Sequence, residues 1–463
     1  MLKNLLLPIA FFFTLLIPQW LSAQLSKEDV GRFLEGHWEG AFIKESSYQK
    51  FEISFYQKDS AWESLQVIEE WHPQFGEFQI AVEIDSTGRI TFGSGYGPLE
   101  VQMDTSSLEL SGRVKNTHPS IYVHFKKVPA PPASPYEIIP VDIPNGAVNL
   151  KGHLHYPSYT SAKTAVIIVG GRGCYAGATQ YSLYAKMLNP YGISTLAYNK
   201  RGTGKSTGDC QTATIEDLAK DVVAIKKYLE AHPNGYENIG VIGSSAGGWV
   251  MMKASEYTDF DFFISLVGPS TTVREQQMQS LEEGVKEFKL SPKAREELID
   301  YTNLVFDAKP TEKDFQQFQT LLQSAETGGW RQLLEATDIP NSRAEIPQLW
   351  VQRHGYDPSE ALKKCQVPFL AIYGGKDWIV PYRENVARLE ELFTGDRKKY
   401  LTTVVAPEAG HSTEFSGEYK KLPNDDPSLP YMQSYWRFFN VSPYPQIEMI
   451  RFLQQNNWVW SRK

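Results

Sequence analysis

Hydrophobic and polar residues alternate along the first part of the chain, from residue 25 to about residue 128. The alternation is clean over 78–84, and similar short runs recur on either side of that segment. A period of two is typical of strands that bury one face, and polar turns such as 85–88 separate the runs. We therefore predict about eight short antiparallel strands over 25–128, closed into a small barrel or a sandwich.

A proline-rich segment follows this region and runs from Val128 to Pro135. Closely spaced prolines hold a chain in a stiff, extended form that does not join a sheet. We predict a linker over 129–135, with a domain boundary there.

Beyond residue 136 the pattern changes to unbroken apolar runs separated by helical stretches. Two runs, 137–141 and 148–156, flank the dipeptide Asn145-Gly146, which is typical of a hairpin. Six further runs rich in Val, Ile and Leu follow, at 165–169, 193–198, 239–242, 262–267, 369–373 and 400–405. Such runs indicate strands buried on both faces, so we predict an α/β domain over 136–463 with an eight-stranded, mostly parallel sheet.

One region interrupts this alternation, from about residue 270 to residue 360. It is rich in Glu, Lys, Gln and Leu, and helical periodicity covers 273–289, 291–306 and 311–325. We interpret it as a helical cap inserted after the sixth strand of the sheet. The alternative is an additional surface layer of helices.

Composition narrows the class of protein. The chain has 463 residues, 41% of them hydrophobic, and a formal net charge of −8. No basic footprint for nucleic acid is present, so no nucleic-acid partner is expected. Three cysteines are too few for a scaffold held by disulfides, so an apolar core must provide the stability.

The first 23 residues have the character of a secretory signal peptide. Lys3 precedes an apolar run over 5–21, and small residues before Gln24 offer a cleavage site. An uncleaved membrane anchor is the alternative, but Pro8, Pro18 and the short length argue against a stable span. We expect an exported protein, periplasmic or extracellular, with no membrane span after cleavage.

The candidate chemistry starts at 243–247, where Gly-Ser-Ser-Ala-Gly matches the pattern Gly-x-Ser-x-Gly. A β-branched apolar run precedes the motif and a helix-compatible run follows it, which is the context that this motif needs. A serine on so sharp a turn is pushed out of the sheet, and small residues must flank it. We predict Ser245 as a nucleophile, provided that the chain also supplies a base and an acid.

A serine hydroxyl is a weak nucleophile at neutral pH and needs a base that is itself oriented by an acid. In open α/β sheets such groups gather beyond the carboxyl ends of the strands. Asp377 lies on a glycine-rich turn after the run 369–373, and His411 lies just past the run 400–405. The order Ser245, Asp377, His411 is that of the nucleophile-elbow fold, so these three are predicted as a catalytic triad.

Each of these residues also has a simpler explanation. Asp377 alone is compatible with a turn former, and His411 alone with a surface-loop histidine. Glu408 is a competing acid, but it lies too close to His411 in sequence to take the usual place. We favour the triad because all three elements occur in the required order, each at a strand end.

An oxyanion hole needs two backbone N–H groups aimed at developing negative charge. One donor is predicted at Ala246, directly after the nucleophile. The second is expected in the glycine-rich loop 170–174, where we assign the N–H of Arg172, with Gly173 as the alternative. That loop also fits a dinucleotide fingerprint, but Asn199 stands where an acidic residue is needed, so we reject that interpretation.

Together these motifs resemble the α/β-hydrolase family, near the branch of serine aminopeptidase-like and esterase-type proteins. The resemblance covers roughly 136–463 and is carried by five segments, 170–173, 198–208, 243–247, 374–377 and 410–411. It implies acyl transfer through a serine acyl-enzyme, with water as the second acceptor and no cofactor or metal. The N-terminal region is weakly similar to lipocalins.

The sequence departs from the family pattern at two positions. Asn199 replaces the Asp that is usual in the Tyr-Asp-x-Arg-Gly turn. Arg172 is bulky where small residues are common, and we expect it to contact an acidic or polar group of the substrate.

The resemblance carries two further expectations. In this fold the loops after the third and fourth strands open on the same edge of the sheet, and they contain Cys174 and Cys210. We hypothesise that these two form a disulfide, with Cys365 left reduced. Part of the aromatic stretch 413–440 is expected to wall the substrate pocket together with the cap.

The predicted function is an exported serine hydrolase that cleaves carboxylic esters of small molecules. The main alternative is a peptidase that removes short N-terminal units, with Glu282, Glu283 and Glu287 as candidates to hold a substrate amine. A third interpretation is a binding protein whose β domain recognises a surface ligand beside a vestigial hydrolase. The intact triad argues against that third interpretation.

Overall fold

The computed structural model describes residues 26–44, 47–67, 77–94, 96–118, 120–130, 136–160, 162–177, 182–414 and 441–460. The predicted signal peptide and residues 131–135 of the linker lie outside the described residues. So does 415–440, most of the aromatic stretch predicted to wall the pocket. Among the helices that are described, none is both long enough and apolar enough to cross a membrane.

The N-terminal region forms a closed barrel of eight antiparallel strands, preceded by the helix α1 (Lys27–Leu34). The strands are β1 (Gly36–Lys44), β2 (Ser47–Lys58), β3 (Ala61–Val67), β4 (Glu77–Ile84), β5 (Ile90–Phe92), β6 (Leu99–Asp104), β7 (Glu109–Val114) and β8 (Tyr122–Val128). Each strand pairs with the next in the chain, and β1 pairs with β8 to close the barrel. Of the two predicted closures, the barrel is therefore the one that forms.

Aromatic side chains fill the interior of the barrel. Trp38, Phe51, Phe55 and Phe125 are at most 1% exposed. The rings of Trp38 and Phe55 meet edge to face at 6.4 Å, and those of Phe51 and Phe125 lie 5.2 Å apart. These inward-facing residues belong to the alternating pattern of the sequence, because every second side chain of a strand points to the same face.

The C-terminal region contains one eight-stranded sheet with the order β16-β15-β14-β13-β11-β12-β10-β9. Its strands are β9 (Glu137–Asn145), β10 (Val148–Tyr156), β11 (Thr164–Val169), β12 (Ile193–Tyr198), β13 (Asn238–Ser244), β14 (Phe262–Leu266), β15 (Phe369–Gly374) and β16 (Leu401–Ala406). The strands β9 and β10 form an antiparallel hairpin, β10 pairs antiparallel with β12, and the other pairs are parallel. The predicted mostly parallel α/β sheet is confirmed.

Helices cover both faces of this sheet, and each face has its own apolar core. Ile167 of β11 packs into the core with α3 (Ile215–Glu230) and α4 (Gly247–Ala254). Val166 and Ile168 point the other way, toward α2 (Leu183–Leu188) and α11 (Pro443–Gln455). Burial on both faces explains why β11 carries an unbroken apolar sequence.

A helical cap is inserted between β14 and β15, the sixth and seventh strands of the sheet along the chain. Its helices are α5 (Val273–Glu287), α6 (Pro292–Asp307), α7 (Glu312–Gly328), α8 (Trp350–Arg353) and α9 (Ser359–Lys364), and one more helix, α10 (Tyr382–Leu392), follows β15. Each of the three long cap helices is preceded by a residue whose hydroxyl accepts a backbone N–H of the first turn. These residues are Thr272, Ser291 and Thr311. Such caps stabilise a helix by roughly 0.5–2 kcal/mol and fix where it starts.

Aromatic side chains of the cap extend the core on one face of the sheet. Tyr301 lies 5.4 Å from Phe318 and 5.7 Å from Trp330, measured between ring centroids. Its hydroxyl donates to the backbone oxygen of Asp338 at 2.9 Å. The segment around Asp338 is thereby fixed to the cap helices, which matters for the site described next.

Candidate active site

Ser245 lies on the sharp turn between β13 and α4, and its backbone has a φ of 53°. Non-glycine residues seldom adopt this left-handed region, and they do so most often where function requires it. The turn is held by the N–H of Ser245, which donates to the oxygen of Leu266 at 3.0 Å. The N–H of Gly248 closes it by donating to Ser245 at 2.8 Å.

The glycines on either side of Ser245 are required by close backbone contacts. A Cβ on Gly243 would lie 2.6 Å from the carbonyl oxygen of Gly247. A Cβ on Gly247 would lie 2.3 Å from the carbonyl oxygen of Val169. Both distances are far below van der Waals contact, so the strand and the helix approach this closely only with glycine at both positions.

Ser245, His411 and Asp377 form a continuous hydrogen-bonded chain. Nε2 of His411 is 3.0 Å from the Oγ of Ser245, and its Nδ1 is 2.9 Å from Oδ2 of Asp377. The three residues follow β13, β16 and β15, so the parallel strands bring them together at one edge of the sheet. The structure thus unites the three residues that the sequence predicts as a triad.

The carboxylate of Asp377 is fixed by the backbone around it. Its side chain is fully buried, and Oδ1 accepts the N–H groups of Ile379 at 2.8 Å and Val380 at 2.9 Å. The other oxygen is therefore free to hold the ring of His411. Glu408, the competing acid, is exposed, and the ring nitrogens of His411 contact Asp377 and Ser245 instead.

Electrostatics favour the protonated form of His411. Burial by itself lowers the pKa of this imidazole, but the charge and hydrogen bond of Asp377, with the charges of Glu414 and Glu335, raise the pKa above its ordinary value. An imidazolium formed by taking a proton from Ser245 would be stabilised by the same groups.

The loop after β11 lies directly against the nucleophile. A Cβ on Gly171 would be 3.0 Å from Cβ and 3.5 Å from Oγ of Ser245. Arg172, Gly173 and Ala246 line the same cavity as Ser245. Both predicted oxyanion donors are therefore at the site, and the alternative donor, Gly173, lies beside them.

A disulfide fastens this loop to the one that follows β12. Cys174 and Cys210 are bonded, with their Cα atoms 5.8 Å apart, while Cys365 is a free thiol that is buried. The pairing hypothesised from the sequence is the one present. It ties the loop that carries Arg172 to the loop after β12.

The guanidinium of Arg172 binds to residues of the cap region. Its guanidinium lies 4.4 Å from the ring of Trp350 and donates to Oγ1 of Thr337 at 2.6 Å. It also pairs with Asp338 at 2.5 Å, with both side chains largely buried. Nε and Nη2 of this arginine thus already have acceptors within the protein, and these contacts do not support the expectation that it contacts a substrate group.

A cavity of about 320 Å³ opens beside Ser245 and His411. Three tryptophans, Trp249, Trp350 and Trp378, contribute to its wall, and Gln276 and Glu335 come from the cap region. The cavity is at the lower end of the range that binds small molecules. Glu282, Glu283 and Glu287 are not among the described residues that line it, and Glu282 and Glu283 pair with Arg295 and Lys286.

Sequence reasoning missed three residues of this neighbourhood: Lys200, Glu335 and Asp338. Lys200 lies in the turn 198–208, and no local pattern marks it as a buried residue, although it is only 6% exposed. Glu335 and Asp338 lie in short turns of the cap without a recognisable motif. Only the docking of the cap over the sheet gives them their partners.

The strand order, the serine on its turn and the inserted cap are those of the α/β-hydrolase fold. The family model for serine aminopeptidase, S33, matches residues 160–346. This match includes Arg172 and Ser245 and ends before Asp377 and His411. The predicted resemblance is confirmed by it, and the family match supports hydrolase activity.

Among solved structures, the Pyrococcus furiosus esterase Pf2001 aligns with 17% identity over 70% of this chain and 95% of that one, with a TM-score of 0.43. Est1E from Butyrivibrio proteoclasticus with ferulic acid bound aligns with 17% identity over 59% of this chain and 91% of that one, with a TM-score of 0.37. The 2,6-dihydroxy-pseudo-oxynicotine hydrolase aligns with 18% identity over 60% and 62%, also with a TM-score of 0.37. Among curated proteins, none has a significant sequence match. The fold assignment therefore rests on strand order and on the family match.

Proposed function

We propose that this protein is a serine hydrolase that cleaves carboxylic esters of small molecules. The observation that carries the proposal is the hydrogen-bonded chain from Ser245 through His411 to Asp377, on a strained turn at the edge of the cavity. A nucleophile, a base and an orienting acid are the minimum set for acyl transfer through a serine.

In the first half of the proposed reaction, Oγ of Ser245 attacks the ester carbonyl carbon while Nε2 of His411 takes the hydroxyl proton. The carbonyl oxygen becomes an oxyanion, which the N–H groups of Ala246 and Arg172 stabilise. The imidazolium then gives its proton to the alkoxide as the carbon–oxygen bond breaks. An alcohol leaves, and the acyl group remains on Ser245.

In the second half, water replaces the alcohol. His411 removes a proton from water as the oxygen attacks the acyl carbon, and the oxyanion forms again at the same place. Collapse of this intermediate returns the proton to Oγ of Ser245 and releases a carboxylic acid. Asp377 holds the ring of His411 in place throughout.

Cleavage of short peptides by the same residues is a second candidate, and Glu335 favours it. The carboxylate is exposed at the cavity, and its charge contributes to raising the pKa of His411. An anionic group that lines the same cavity as the nucleophile is placed to attract a substrate ammonium. The family match to serine aminopeptidase is compatible with this candidate as well.

The experiment that tests the proposal compares p-nitrophenyl esters of increasing acyl length with aminoacyl-p-nitroanilides. Ester hydrolysis is the expected dominant activity, and Ser245→Ala should abolish it together with labelling by a fluorophosphonate. Ser255→Ala, at the far end of the same helix and outside the cavity, is the matched control. Activity on the anilides alone would favour the peptidase, and labelling that survives Ser245→Ala would contradict both candidates.

The binding-protein interpretation is distinguished by the same reagent. A vestigial site would leave Ser245 unlabelled, whereas the proposed hydrolase reacts.

Export is likewise part of the proposal, and it rests on the apolar start of the sequence alone. Fractionation of cells that express the full chain should place the mature protein outside the cytoplasm, with its N-terminus at Gln24.

A further inference from the structure

A buried lysine lies behind the oxyanion loop, and the reaction as described makes no use of it. Lys200 follows β12 and is 6% exposed. Its Nζ donates to the carbonyl oxygens of Gly171 and, at 2.9 Å, of Gly173. Both acceptors belong to the loop that carries Arg172.

The remaining contact of this ammonium is aromatic. Nζ of Lys200 lies 4.4 Å from the ring centroid of Tyr175, whose hydroxyl also donates to the oxygen of Gly171 at 3.4 Å. Within the described part of the chain, no carboxylate pairs with Lys200. Its charge is therefore balanced by carbonyl dipoles and by a π face, both of which belong to the loop after β11.

The peptide between Gly171 and Arg172 is oriented by this contact. In a trans peptide the C=O and the N–H point in opposite directions, so an oxygen that faces Lys200 turns the N–H of Arg172 away from it. Gly171 lies against Ser245, and Lys200 is not among the described residues that line the cavity beside the nucleophile. The N–H of Arg172 is thus directed away from the lysine side of the loop.

We infer that Lys200 is a positioning residue for the oxyanion hole: it fixes the Gly171–Arg172 peptide and places a positive charge behind it. An ammonium bonded to the carbonyl polarises the peptide and strengthens its N–H as a donor. The inference rests on the proposed ester hydrolysis and adds to it a residue that acts through the backbone. The disulfide and the Arg172–Asp338 pair hold the loop in place, whereas Lys200 acts on the donor peptide itself.

The charge of Lys200 is sensitive to pH in the working range. Burial lowers the pKa of this lysine to about 7. The groups around it do not titrate near neutral pH, because burial raises the pKa of Tyr175 and lowers that of His354 to about 4. The nearby Arg172 is paired with Asp338, and the other neighbour, Arg353, carries a guanidinium, which proteins do not deprotonate. We therefore expect kcat to decrease above neutral pH as Lys200 loses its proton.

The test measures kcat and KM for a p-nitrophenyl ester between about pH 5.5 and pH 9.5, with the wild type and with Lys200→Met. At neutral pH the variant should lose about 10- to 100-fold in kcat. KM should change little, because the donor acts mainly in the transition state. The wild-type kcat should fall as pH rises through the pKa of Lys200, and the variant should lack this fall. Binding of a boronic acid that forms a tetrahedral adduct with Ser245 should weaken in parallel with kcat.

Two further variants keep the inference decidable. Lys205→Met removes an exposed lysine of the same turn and should leave kcat and the pH profile as in the wild type. If Lys200→Met does not fold, Lys200→Gln is the second variant, because it retains a hydrogen-bond donor. Its kcat should not decrease at alkaline pH, since the side chain does not titrate. If the wild type is active and the Lys200 variants keep its kcat and its loss of rate at alkaline pH, the inference is overturned and the proposed function stands. A wild type inactive on every ester and unreactive toward a fluorophosphonate would overturn both.

Discussion

Ser245 has an unfavourable backbone conformation, which the packing of the surrounding structure stabilises. A φ of 53° at a serine is disfavoured by about 1–3 kcal/mol relative to ordinary backbone. The turn persists because β13 and α4 are both packed into the core and because glycine at 243 and 247 lets them approach. The position of the hydroxyl at the cavity wall is a consequence of that packing.

Gly247→Ala should therefore be strongly destabilising. The new Cβ would meet the oxygen of Val169 at 2.3 Å, and the helix or the strand would have to move. We expect a loss of on the order of 3 kcal/mol in the free energy of unfolding, measured in urea. Gly355→Ala is the control, since its nearest backbone atom lies 4.0 Å from the added Cβ. Equal stability of the two variants would contradict the steric argument.

A second prediction at this scale concerns the charge of Glu335. His411 must be neutral to act as a base, so kcat/KM should rise as pH increases through its pKa, which neighbouring carboxylates raise. Glu335→Gln removes one of these negative charges, so the pKa of His411 should fall and the acidic limb should move to lower pH. The measurement is the pH profile of kcat/KM on a neutral ester.

Glu296→Gln, which removes an exposed carboxylate of α6 outside the cavity, is the matched control for charge. Its acidic limb should coincide with that of the wild type. A limb that moves to higher pH in Glu335→Gln would show that the sign of the argument is wrong.

At the scale of elements, the oxyanion loop is tied down on two sides. The disulfide joins it to the loop after β12, and the pair Arg172–Asp338 joins it to the cap. Asp338 is itself fixed, because Oδ1 accepts the N–H of Val351 and its backbone oxygen accepts the hydroxyl of Tyr301. The cap is thus linked mechanically to the proposed donor at Arg172.

Asp338→Asn tests this link. The variant leaves the guanidinium of Arg172 largely buried without its counter-ion, which should cost about 3 kcal/mol of stability. It should also lower kcat, since the loop loses its restraint toward the cap. Unfolding in urea and steady-state ester hydrolysis are the two measurements.

The control uses an ion pair of the same cap that is exposed. Arg274 and Asp307 also lie 2.5 Å apart, but their side chains are 45% and 62% exposed. Asp307→Asn should change stability by less than about 1 kcal/mol, because water screens the pair. If both substitutions cost the same, burial is not what makes the Asp338 pair important.

At the scale of the whole molecule, the barrel and the hydrolase sheet have separate cores. The barrel core is built from residues between Val30 and Phe125, whereas the two cores of the sheet begin at Val141 and Val166. Each region therefore buries its own apolar surface, which is the physical requirement for independent folding.

We predict that residues 136–463 fold without the barrel and retain ester hydrolysis. All residues of the proposed mechanism lie in this segment, and its strands pair with one another. Far-UV circular dichroism should show that the segment is folded, with a cooperative loss of signal on heating. Its kcat on a soluble p-nitrophenyl ester should match that of the full chain within about twofold, a rate difference of less than about 0.5 kcal/mol. A folded segment without activity would show that the barrel contributes to the site.

Much of this organisation is predictable from the sequence because it is local. The alternation over 25–128 predicts the barrel strands, and unbroken apolar runs predict the parallel sheet. Ser245, Asp377 and His411 are each marked by glycines or by a strand end within a few residues. Such signals depend on the conformation of neighbouring residues, so a single chain displays them before it folds.

The tertiary structure alone decided the contacts that connect distant segments. Lys200 is 29 residues from Gly171 and Arg172 is 166 residues from Asp338, so no local pattern marks either pair. Whether a lysine is buried, or an arginine faces the cap instead of the substrate, depends on how the loops and the cap pack over the sheet. Sequence determined which residues carry the proposed chemistry, because motifs encode local turns. Packing decided which residues hold and tune them, because burial and electrostatics exist only once the chain is compact.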